Sequence, residues 1–283
     1  MSQDYSVVNF DKLTYAGNLA SLDSVASNPH YTFIKSDICD PVAVEMTMAG
    51  CQTVVHFAAE SHVDRSIYDP APMIETNVTG TFVLLLIARK LHIEKFVHVS
   101  TDEVFGDMAP GTFAAEDSPV QPSSPYSASK GSSDLIVRSC VRTFGFPTII
   151  IRASNNYGPF QFPEKFLPLM IASALDDEPL PIYGDGKQER NWLHVQDHCR
   201  GILAVLERGR IGEVYNIGGA DVVEKSHHGA PFASRHRKTS IANFSCGRPS
   251  RPRPPLCAYL LQDRAGARLE ARHFVRRRPA PNH

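Results

Sequence analysis

The sequence lacks the features that direct a chain to a membrane or to nucleic acid. Its formal net charge is −1 over 283 residues, so it has no overall attraction for nucleic acid or an anionic membrane. Its longest strongly apolar run, Phe82 to Ala88, is far short of the roughly 20 residues that span a bilayer. The first residues have neither a basic stretch nor a long apolar one, so no secretory signal is visible. We therefore expect no membrane and no nucleic acid among the partners.

Paired cysteines are also lacking. The 6 cysteines are scattered along the chain, and none forms a Cys-x-x-Cys pair. Zinc sites and the disulfide frameworks of secreted domains depend on closely or regularly spaced cysteines. The pattern predicts reduced thiols, no metal site and a cytoplasmic protein.

The near-zero net charge conceals two regions of opposite charge. Residues 1–223 carry 16 Lys and Arg against 27 Asp and Glu, whereas residues 224–283 carry 13 against 3. The second region also holds 7 prolines, several of them in Arg-Pro steps. Such a composition buries too little apolar area to offset the entropy of folding. We expect a disordered tail that is foreign to the rest; a basic arm for nucleic acid or acidic lipid is the less favoured alternative.

Between residues 7 and 220, short apolar strands alternate with helices. The strand segments are β-branched and show no polar alternation, which is typical of strands buried on both faces of a parallel sheet. Their alternation with helices favours βαβ units with right-handed crossovers. The predicted fold class is α/β, with a doubly wound, Rossmann-type parallel sheet. The predicted strands are 7–10, 31–34, 53–58, 95–100 and 148–152, and the predicted helices are 41–49, 71–91, 126–144 and 164–175.

The segment Tyr126-Ser127-Ala128-Ser129-Lys130 opens one predicted helix and places its first and last residues on the same face. A lysine ammonium beside a phenol lowers the phenol pKa. A phenolate near neutral pH can take a hydroxyl proton during hydride transfer. The spacing alone is weak evidence, because many surface helices contain it. Its place after a Pro-rich loop, not far beyond a predicted strand, strengthens the prediction of a catalytic pair.

Thr101, Asp102 and Glu103 follow directly on the predicted strand 95–100. Ligands of doubly wound sheets bind at the carboxyl ends of the strands. Two adjacent carboxyl groups there can work as acid and base if their surroundings keep one protonated and the other ionised. A capped, solvated turn is the alternative interpretation of the triplet.

Three further strand ends fit a dinucleotide. Asp11 ends the first strand, where an acidic residue takes the ribose hydroxyls of NAD and repels the extra phosphate of NADP. Asp37-Ile38 follows the second strand and is expected to flank the adenine. Phe57-Ala58-Ala59 closes the third strand, where small side chains allow a cofactor to approach closely. A helix cap or plain core packing explains each of these segments about equally well.

Together these segments resemble the nucleotide-sugar 4,6-dehydratases of the extended short-chain dehydrogenase/reductase superfamily. The resemblance is continuous over about residues 5–220, and the order and spacing of its motifs exclude chance. The motifs that carry it are Asp11-Lys12-Leu13-Thr14-Tyr15-Ala16-Gly17-Asn18, Phe57 to Ser66, Ser100 to Gly106, Pro125 to Lys130, Ser154-Asn155-Asn156-Tyr157-Gly158-Pro159, Phe162 to Lys165, Gly184 to His194 and Tyr215 to Gly219.

The resemblance implies a redox-neutral elimination of water from dTDP-glucose, with NAD as the cofactor and a 4-keto-6-deoxy sugar as the product. Tyr126 would deprotonate the glucose 4-hydroxyl, and Thr101 would hydrogen-bond the 4-oxygen. Glu103 would remove the C5 proton, and Asp102 would protonate the departing C6 hydroxyl. Lys130 would hold the ribose and tune Tyr126. The complete enzyme would be a homodimer.

The resemblance also implies two overlapping sets of binding residues. The cofactor residues would be Asp11, Lys12, Leu13, Thr14, Asp37, Ile38, Phe57, Ala58, Ala59, Ser61, Thr76, Tyr126, Lys130 and Asn156. The substrate residues would be Ser61, Thr101, Asn155, Lys165, Phe166, Pro181, Ile182, Tyr183 and Arg190.

The sequence departs from the family pattern at both ends. None of its 18 glycines has the G-x-x-G-x-x-G spacing that cradles a pyrophosphate. We expect a first βα unit of roughly 30 residues to be absent, which would expose sheet edges and weaken NAD binding. The expected divisions are a Rossmann-type NAD-binding domain at 1–160, a partial substrate-binding lobe interleaved with the sheet at 161–222, and the basic tail at 223–283.

Several alternatives stay open. UDP-glucuronate decarboxylases and 4-epimerases share the Tyr/Lys pair but eliminate no water, so Asp102-Glu103 argues against them. A UDP-sugar 4,6-dehydratase is harder to separate, because few contacts decide the nucleotide base. An inactive truncated isoform is a further alternative of a different class.

Overall fold

The computed structural model describes residues 5–109, 112–179, 189–219 and 222–224. The strands are β1 Val7–Asp11, β2 Tyr31–Lys35, β3 Thr53–His56, β4 Lys95–Thr101, β5 Thr148–Ala153, β6 Asn155–Tyr157, β7 Glu189–His194, β8 Val214–Ile217 and β9 Val222–Glu224. The helices are α1 Asp23–Ala26, α2 Pro41–Met48, α3 Val63–Tyr68, α4 Ala71–Met73, α5 Thr81–Lys90, α6 Pro125–Phe144, α7 Phe166–Leu175 and α8 Val195–Arg208. Leu19–Leu22 and Asp102–Phe105 are 3₁₀ turns, and the π-helical segment Ile74–Gly80 joins α4 to α5.

The predicted parallel α/β architecture is confirmed. All five predicted strands form, and each predicted helix is present with its ends shifted by two residues or fewer. The predicted helix 71–91 contains an unforeseen π-helical segment. Strands β3, β4, β5 and β8 form a parallel sheet in the order β3-β4-β5-β8. Strand β8 lies within residues 161–222, and the division of the chain at 160 and 222 stays a prediction.

The parallel strands are divided between two sheets. Strands β1 and β2 pair in parallel as a separate two-stranded sheet, and among the described residues β1 bonds only to β2 and β3 only to β4. Both sheets nevertheless pack on one hydrophobic cluster, which includes Phe10 of β1, Ile38 just after β2 and Ala58 just after β3. The carboxyl ends of β1, β2 and β3 therefore lie on the same core. A third, mixed sheet joins β6, β7 and β9.

Burial is deepest in β4 and β5. All six residues of β5 are buried, and five of the seven residues of β4 are. The register pairs Thr101 with Ala153, so the two strands end together. This shared end fixes the position of the turn that follows β4.

One helix among the described residues has the length and hydropathy of a membrane span. It is Ala71–Lys90, with 20 residues and a mean hydropathy of 1.4. The helix packs against α2 and α6 and buries the polar side chain of Asn77. These contacts are those of a core helix in an α/β domain.

The tail predicted to be disordered lies outside the described residues from position 225 onward. Regular structure extends slightly past the predicted boundary at 222, because β9 runs to Glu224 and pairs there with Glu189.

Candidate active site

The segment after β4 forms a tight turn that carries two carboxyl groups. The Oγ1 of Thr101 accepts a hydrogen bond from the backbone N–H of Glu103 at 3.1 Å and so caps the 3₁₀ turn. Gly106 ends the turn with a φ of 73°, and a Cβ there would strike the carbonyl oxygen of Gln121. The turn is therefore fixed at both ends, with Asp102 buried and Glu103 partly buried next to each other.

Helix α6 begins where it does because its first turn is well capped. The Oγ of Ser124 accepts from the N–H of Ser127 at 3.1 Å, and the Oγ of Ser127 accepts from the N–H of Ser124 at 2.9 Å. Pro125 occupies the first helical position, where no amide hydrogen is needed. This reciprocal cap sets Tyr126 in the first turn and Lys130 one turn later.

The structure brings the predicted catalytic residues together. Tyr126 and Lys130 are both buried. Burial raises the pKa of the Tyr126 phenol, and the neighbouring side chain of Thr101 acts in the opposite direction. The Nζ of Lys130 donates to the carbonyl oxygen of Val99 at 2.8 Å, which ties α6 to the end of β4. The two carboxyl groups of the turn act electrostatically on Tyr126. The whole predicted set therefore meets at the carboxyl end of one buried strand.

Burial changes the acid strength of Asp102. The residue is 2% exposed, and burial together with the charge of Glu103 raises the pKa of Asp102 to about 7. Its Oδ1 accepts from the Oγ1 of Thr101 at 3.3 Å, whereas its Oδ2 has no protein partner among the described residues. A carboxyl group with a pKa near 7 can give and regain a proton at neutral pH. The adjacent carboxyl groups are thus suited to separate acid and base roles.

The pKa of Tyr126 differs from the sequence-based expectation. Burial raises the pKa of the phenol well above its usual value, and the charge of Glu103 raises it further. Burial also lowers the pKa of Lys130 to about 8. The expected net lowering of the phenol pKa is wrong for this structure, because burial of the phenol and the charge of Glu103 both raise it.

The ends of β1 and β2 provide the expected acidic residue and an ion pair. Asp11 is exposed, and its Oδ1 accepts from the N–H of Leu13 at 2.7 Å in the loop that continues to Thr14. Lys12 forms a salt bridge with Asp37. This hydrogen-bonded contact raises the pKa of Lys12. Burial acts to raise the pKa of Asp37, but the contact with Lys12 outweighs burial, and the pKa of Asp37 is lowered. Asp11 is therefore an exposed carboxylate at the end of β1, and its contact with ribose stays a prediction, while Lys12 and Asp37 neutralise each other.

The other strand-end residues differ in their accessibility. Ile38 is 6% exposed and lies in the main hydrophobic cluster, so its side chain supports the core. Its predicted contact with the adenine stays a prediction. Phe57 is about half exposed, and Ala58 and Ala59 are partly buried. Thr76 is partly buried in the π-helical segment.

Polar contacts join the segment after β3 to the segment before α7. The Nζ of Lys165 donates to the carbonyl oxygen of Ser61 at 3.0 Å and lies 3.4 Å from its Oγ. The Nη2 of Arg65 donates to Glu164 at 3.1 Å, and its guanidinium lies 3.8 Å from the centroid of the Tyr15 ring. Ser61, predicted to bind both cofactor and substrate, is thus in direct contact with Lys165, which is predicted to bind the substrate.

The remaining predicted substrate residues lie on β6, β7 and α7. Asn155 donates to a carbonyl oxygen of β7 at 3.5 Å, and Phe166 stacks on Trp192 with ring centroids 6.0 Å apart. Arg190 is 7% exposed, and its charge acts on Asp102 to lower the pKa of that carboxyl, against burial. Arg190 is therefore close to the candidate acid. Three predicted residues, Pro181, Ile182 and Tyr183, lie outside the described residues.

Asn156 carries a buried acceptor without a protein partner. Its Nδ2 donates to the carbonyl oxygen of Ser154 at 3.1 Å, but its Oδ1 has no hydrogen-bond partner among the described residues. Buried polar atoms are almost always paired, so an unpaired one requires an explanation. The Oδ1 atom is a position where the N–H or O–H donor of a ligand fits.

Sequence reasoning missed Asn77, which links the segment after β3 to α6. Its Oδ1 accepts from the N–H of Glu60 at 2.8 Å, and its Nδ2 donates to the Glu60 carbonyl oxygen at 2.9 Å and to the Oγ of Ser129 at 2.8 Å. Ser129 lies between Tyr126 and Lys130. A polar residue within an otherwise apolar predicted helix was the available signal.

A protein-family model described as the NAD dependent epimerase/dehydratase family matches residues 1–218. The chain belongs to this family. The matched range contains every predicted site residue, and it ends next to β8, the last strand of the four-stranded sheet.

The relatives of this family member include enzymes of two kinds. The dTDP-glucose 4,6-dehydratase of Neisseria meningitidis serogroup B is 53% identical over 227 residues, which cover 76% of this chain and 64% of that protein. The chain thus spans slightly less than two thirds of that relative. The solved structure of DesIV, a dTDP-glucose 4,6-dehydratase from Streptomyces venezuelae with NAD and TYD bound, is 41% identical with a TM-score of 0.83, over 92% of this chain and 80% of that chain.

A UDP-glucuronic acid 4-epimerase from Bacillus cereus, solved with UDP-glucuronic acid and NAD, is 28% identical with a TM-score of 0.80. That match covers 90% of this chain and 82% of the epimerase. Because dehydratase and epimerase share this fold, the fold alone does not select the reaction. The side chains of the site must do so.

The side chains present fit NAD at its two ribose ends. Asp11 offers an exposed carboxylate at the end of β1. Lys130 offers a buried ammonium beside Tyr126 at the end of β4, and Asn156 offers an unpaired buried acceptor. The described residues contain no glycine-rich G-x-x-G-x-x-G turn, so their fit to NAD concerns the ribose groups and not the pyrophosphate.

Proposed function

We propose that the site eliminates water from dTDP-glucose to give the 4-keto-6-deoxy sugar, with NAD as the cofactor. The observation that carries the proposal is the adjacent pair Asp102 and Glu103 beside Tyr126, with the pKa of Asp102 near 7. An elimination needs one group to protonate the departing oxygen and another to take a proton from carbon, whereas a 4-epimerase needs neither. The printed names of the dehydratase relatives support the same reaction.

Each residue has one role in the proposed reaction. Tyr126, in its phenolate form, accepts the proton of the glucose 4-hydroxyl, and Thr101 holds the 4-oxygen by a hydrogen bond. Glu103 removes the C5 proton, which the 4-keto group makes acidic, and Asp102 protonates the C6 hydroxyl as it leaves as water. Lys130 keeps a positive charge near the phenol. When bound, NAD supplies a reversible hydride acceptor, so the reaction involves no net oxidation or reduction.

The diphosphate of the substrate is assigned to two cationic side chains. Lys165 bridges to Ser61 across the cleft, and Arg190 is buried close to Asp102. A guanidinium suits this task because its fork binds phosphate oxygens in pairs. Each cation interacts electrostatically with one catalytic carboxyl group, Arg190 with Asp102 and Lys165 with Glu103, which supports a diphosphate site next to the sugar.

The test is an assay on the purified protein in the longest form that its gene encodes. With dTDP-glucose and NAD we expect a product lighter by one water, measured by mass spectrometry, and no net NADH, measured by absorbance. Stoichiometric NADH would favour a simple dehydrogenase, and a product of unchanged mass would favour an epimerase. UDP-glucose in a parallel reaction tests the alternative nucleotide base.

We also propose a homodimer, formed through the exposed face of two packed helical elements. The helix Ala71–Lys90 exposes Phe82 and Leu86, and the neighbouring α6 exposes Leu135, each to about half of its surface. Exposed apolar groups on adjacent helices mark an interaction surface. A second copy fits best, because a two-fold axis lets the same patch pair with itself.

Sedimentation equilibrium checks the dimer. Leu86→Glu places a charge in the middle of this face, and we expect the variant to sediment as a monomer where the wild type is dimeric. Leu175→Glu is the matched control, because Leu175 is exposed on α7, away from the face. A monomeric wild type at micromolar concentration, or a control that dissociates equally, contradicts the proposal.

A cytoplasmic location is the last part of the proposal. The four described cysteines, Cys39, Cys51, Cys140 and Cys199, are free thiols, which suits a reducing compartment. Recovery of the protein in a washed membrane fraction contradicts it.

A further inference from the structure

Two opposite charges are buried directly beneath the candidate active site. Asp134 lies on α6 one helical turn after Lys130, and Arg152 lies on β5, where every residue is buried. Their side chains are 0% and 1% exposed. The Nε of Arg152 donates to the Oδ2 of Asp134 at 2.9 Å. The proposed function assigns no role to either residue.

Stability alone does not explain this pair. Removing two charges from water cancels much of the attraction between them, and apolar side chains of similar volume often stabilise such a space as well or better. A buried charge that loses its partner, in contrast, destabilises a protein strongly. The neighbours of the pair point to another reason for its presence.

Arg152 connects three parts of the frame around the site. It binds α6 through Asp134, and its Nη1 donates to the carbonyl oxygen of Glu116 at 3.2 Å in the loop that precedes α6. Its guanidinium also lies 4.8 Å from the centroid of the Phe105 ring. Phe105 belongs to the turn that carries the two candidate catalytic carboxyl groups. The guanidinium of Arg152 therefore contacts the helix, the loop and the turn at once.

Asp134 also acts on the charge of Lys130. Burial lowers the pKa of Lys130 to about 8, and the Asp134 carboxylate opposes this effect. Burial raises the pKa of Asp134 itself, and the guanidinium of Arg152 and the Lys130 ammonium oppose that rise. Because a guanidinium stays charged in proteins, the ion pair favours the ionised form of the carboxyl.

Three other titratable groups lie near Asp134, and all three are uncharged at pH 7. From β4, the Nε2 of His98 lies 3.5 Å from its Oδ1, and from β3 the ring of His56 lies 5.2 Å from that of His98. Burial lowers the pKa of both histidines, to about 3 for His56, so both are neutral at pH 7. From its own helix, Tyr126 has a raised pKa and is also neutral in this structure. The cluster holds two cations, and Asp134 is the carboxyl group that interacts with both.

We propose that Asp134, held by Arg152, is a positioning residue of this site: its carboxylate keeps Lys130 charged and fixes α6 against the turn with the two carboxyl groups. The proposal rests on the proposed function, in which Tyr126 works beside a positive charge. An uncharged lysine no longer stabilises the phenolate that takes the substrate proton.

Two variants separate this role from a purely structural one. Asp134→Asn removes the charge at nearly constant shape and leaves Arg152 unpaired, so we expect its melting temperature to fall. Asp134→Leu combined with Arg152→Met removes both charges and fills the space with apolar groups, so we expect most of the melting temperature to return. Asp197→Asn is the matched control, because it breaks an exposed pair with Arg200 on α8.

The first readout needs neither substrate nor cofactor. In protein labelled with ¹⁵N at the lysine side chains, an NMR titration reports the Lys130 pKa, and the Lys130→Met variant assigns the signal. We expect this pKa to fall by about one unit in Asp134→Asn and in the double variant, and to stay constant in the control. An unchanged Lys130 pKa in a folded double variant overturns the proposal.

The second readout is activity with dTDP-glucose and NAD. In the double variant we expect kcat to fall by about tenfold or more with little change in KM, and the alkaline limb of the pH profile to move about one unit lower. Recovery of kcat together with the melting temperature indicates a structural role and overturns the proposal. If the wild type is inactive on this sugar, the proposed function fails, yet the Lys130 titration still decides whether Asp134 sets the charge.

If the double variant does not fold, two single variants at Asp134 are compared instead. Asp134→Glu keeps the charge and Asp134→Asn removes it, and both are measured at a temperature where each is folded. We expect Asp134→Glu alone to keep the wild-type pKa of Lys130, and equal values in the two variants contradict the proposal.

Discussion

Replacing Glu103 with Gln is expected to stop the elimination while leaving the first hydride transfer intact. The amide keeps the shape of the side chain but cannot take the C5 proton, so the reaction halts at the 4-keto stage. On rapid mixing of the variant with NAD and dTDP-glucose, we expect NADH absorbance to rise and persist. Product formation should fall by roughly the 10²–10⁴-fold that a general base contributes.

Two further variants serve as comparisons for Glu103→Gln. Tyr126→Phe removes the group that takes the 4-hydroxyl proton, so neither NADH nor product is expected to form. Glu94→Gln, an exposed glutamate just before β4, makes the same chemical change away from the site and should behave as the wild type. Normal turnover of Glu103→Gln would mean that another group removes the C5 proton.

The fold was predictable because its strands carry their own signal. The runs around Val54, Val97 and Ile150 are apolar and β-branched, and all three became strands of the parallel sheet, of which the last two are the most deeply buried. The catalytic positions followed from the same pattern. A strand that ends before Thr101 and a helix that begins at Tyr126 must bring those two residues to one edge of the sheet.

Other features depend on partners distant in sequence. Asn77 and Ser129 are 52 positions apart, and Asp134 and Arg152 are 18 apart on different elements, so no local pattern reveals either contact. One signal was available for the second pair. An arginine in a strand that is otherwise apolar or small is unexpected unless a buried partner meets it.

The sign of the Tyr126 pKa shift was also beyond the sequence. The spacing of Tyr126 and Lys130 correctly placed both on one face of a helix, but it said nothing about how deeply the two side chains are buried. Desolvation raises the phenol pKa and lowers the ammonium pKa, and depth of burial decides how far. Burial also raises the pKa of Asp102, and there its effect on the free energy of unfolding can be measured.

Asp102→Asn is expected to make the protein more stable, and increasingly so as the pH rises. The pKa of an aspartate in an unfolded chain is about 3.9, whereas that of Asp102 in the folded protein is raised to about 7 by burial. Between these values the folded state binds more protons than the unfolded state, so stability falls as the pH rises. This loss of stability is complete above the folded-state pKa of Asp102 and absent below its unfolded-state pKa. An asparagine cannot ionise and therefore escapes it.

Thermal unfolding from pH 4 to pH 8 measures this effect. The advantage of Asp102→Asn should grow between pH 4 and pH 7 and then level off, at a value on the order of 4 kcal/mol from the shift in the Asp102 pKa. Asp107→Asn, an exposed residue five positions later, is the matched control and should give a flat difference. A difference at Asp102 that stays constant with pH would mean that the folded protein does not hold this carboxyl protonated. A growing difference, together with lost dehydratase activity, would show that the site keeps a destabilising acid because the departing C6 hydroxyl requires its proton.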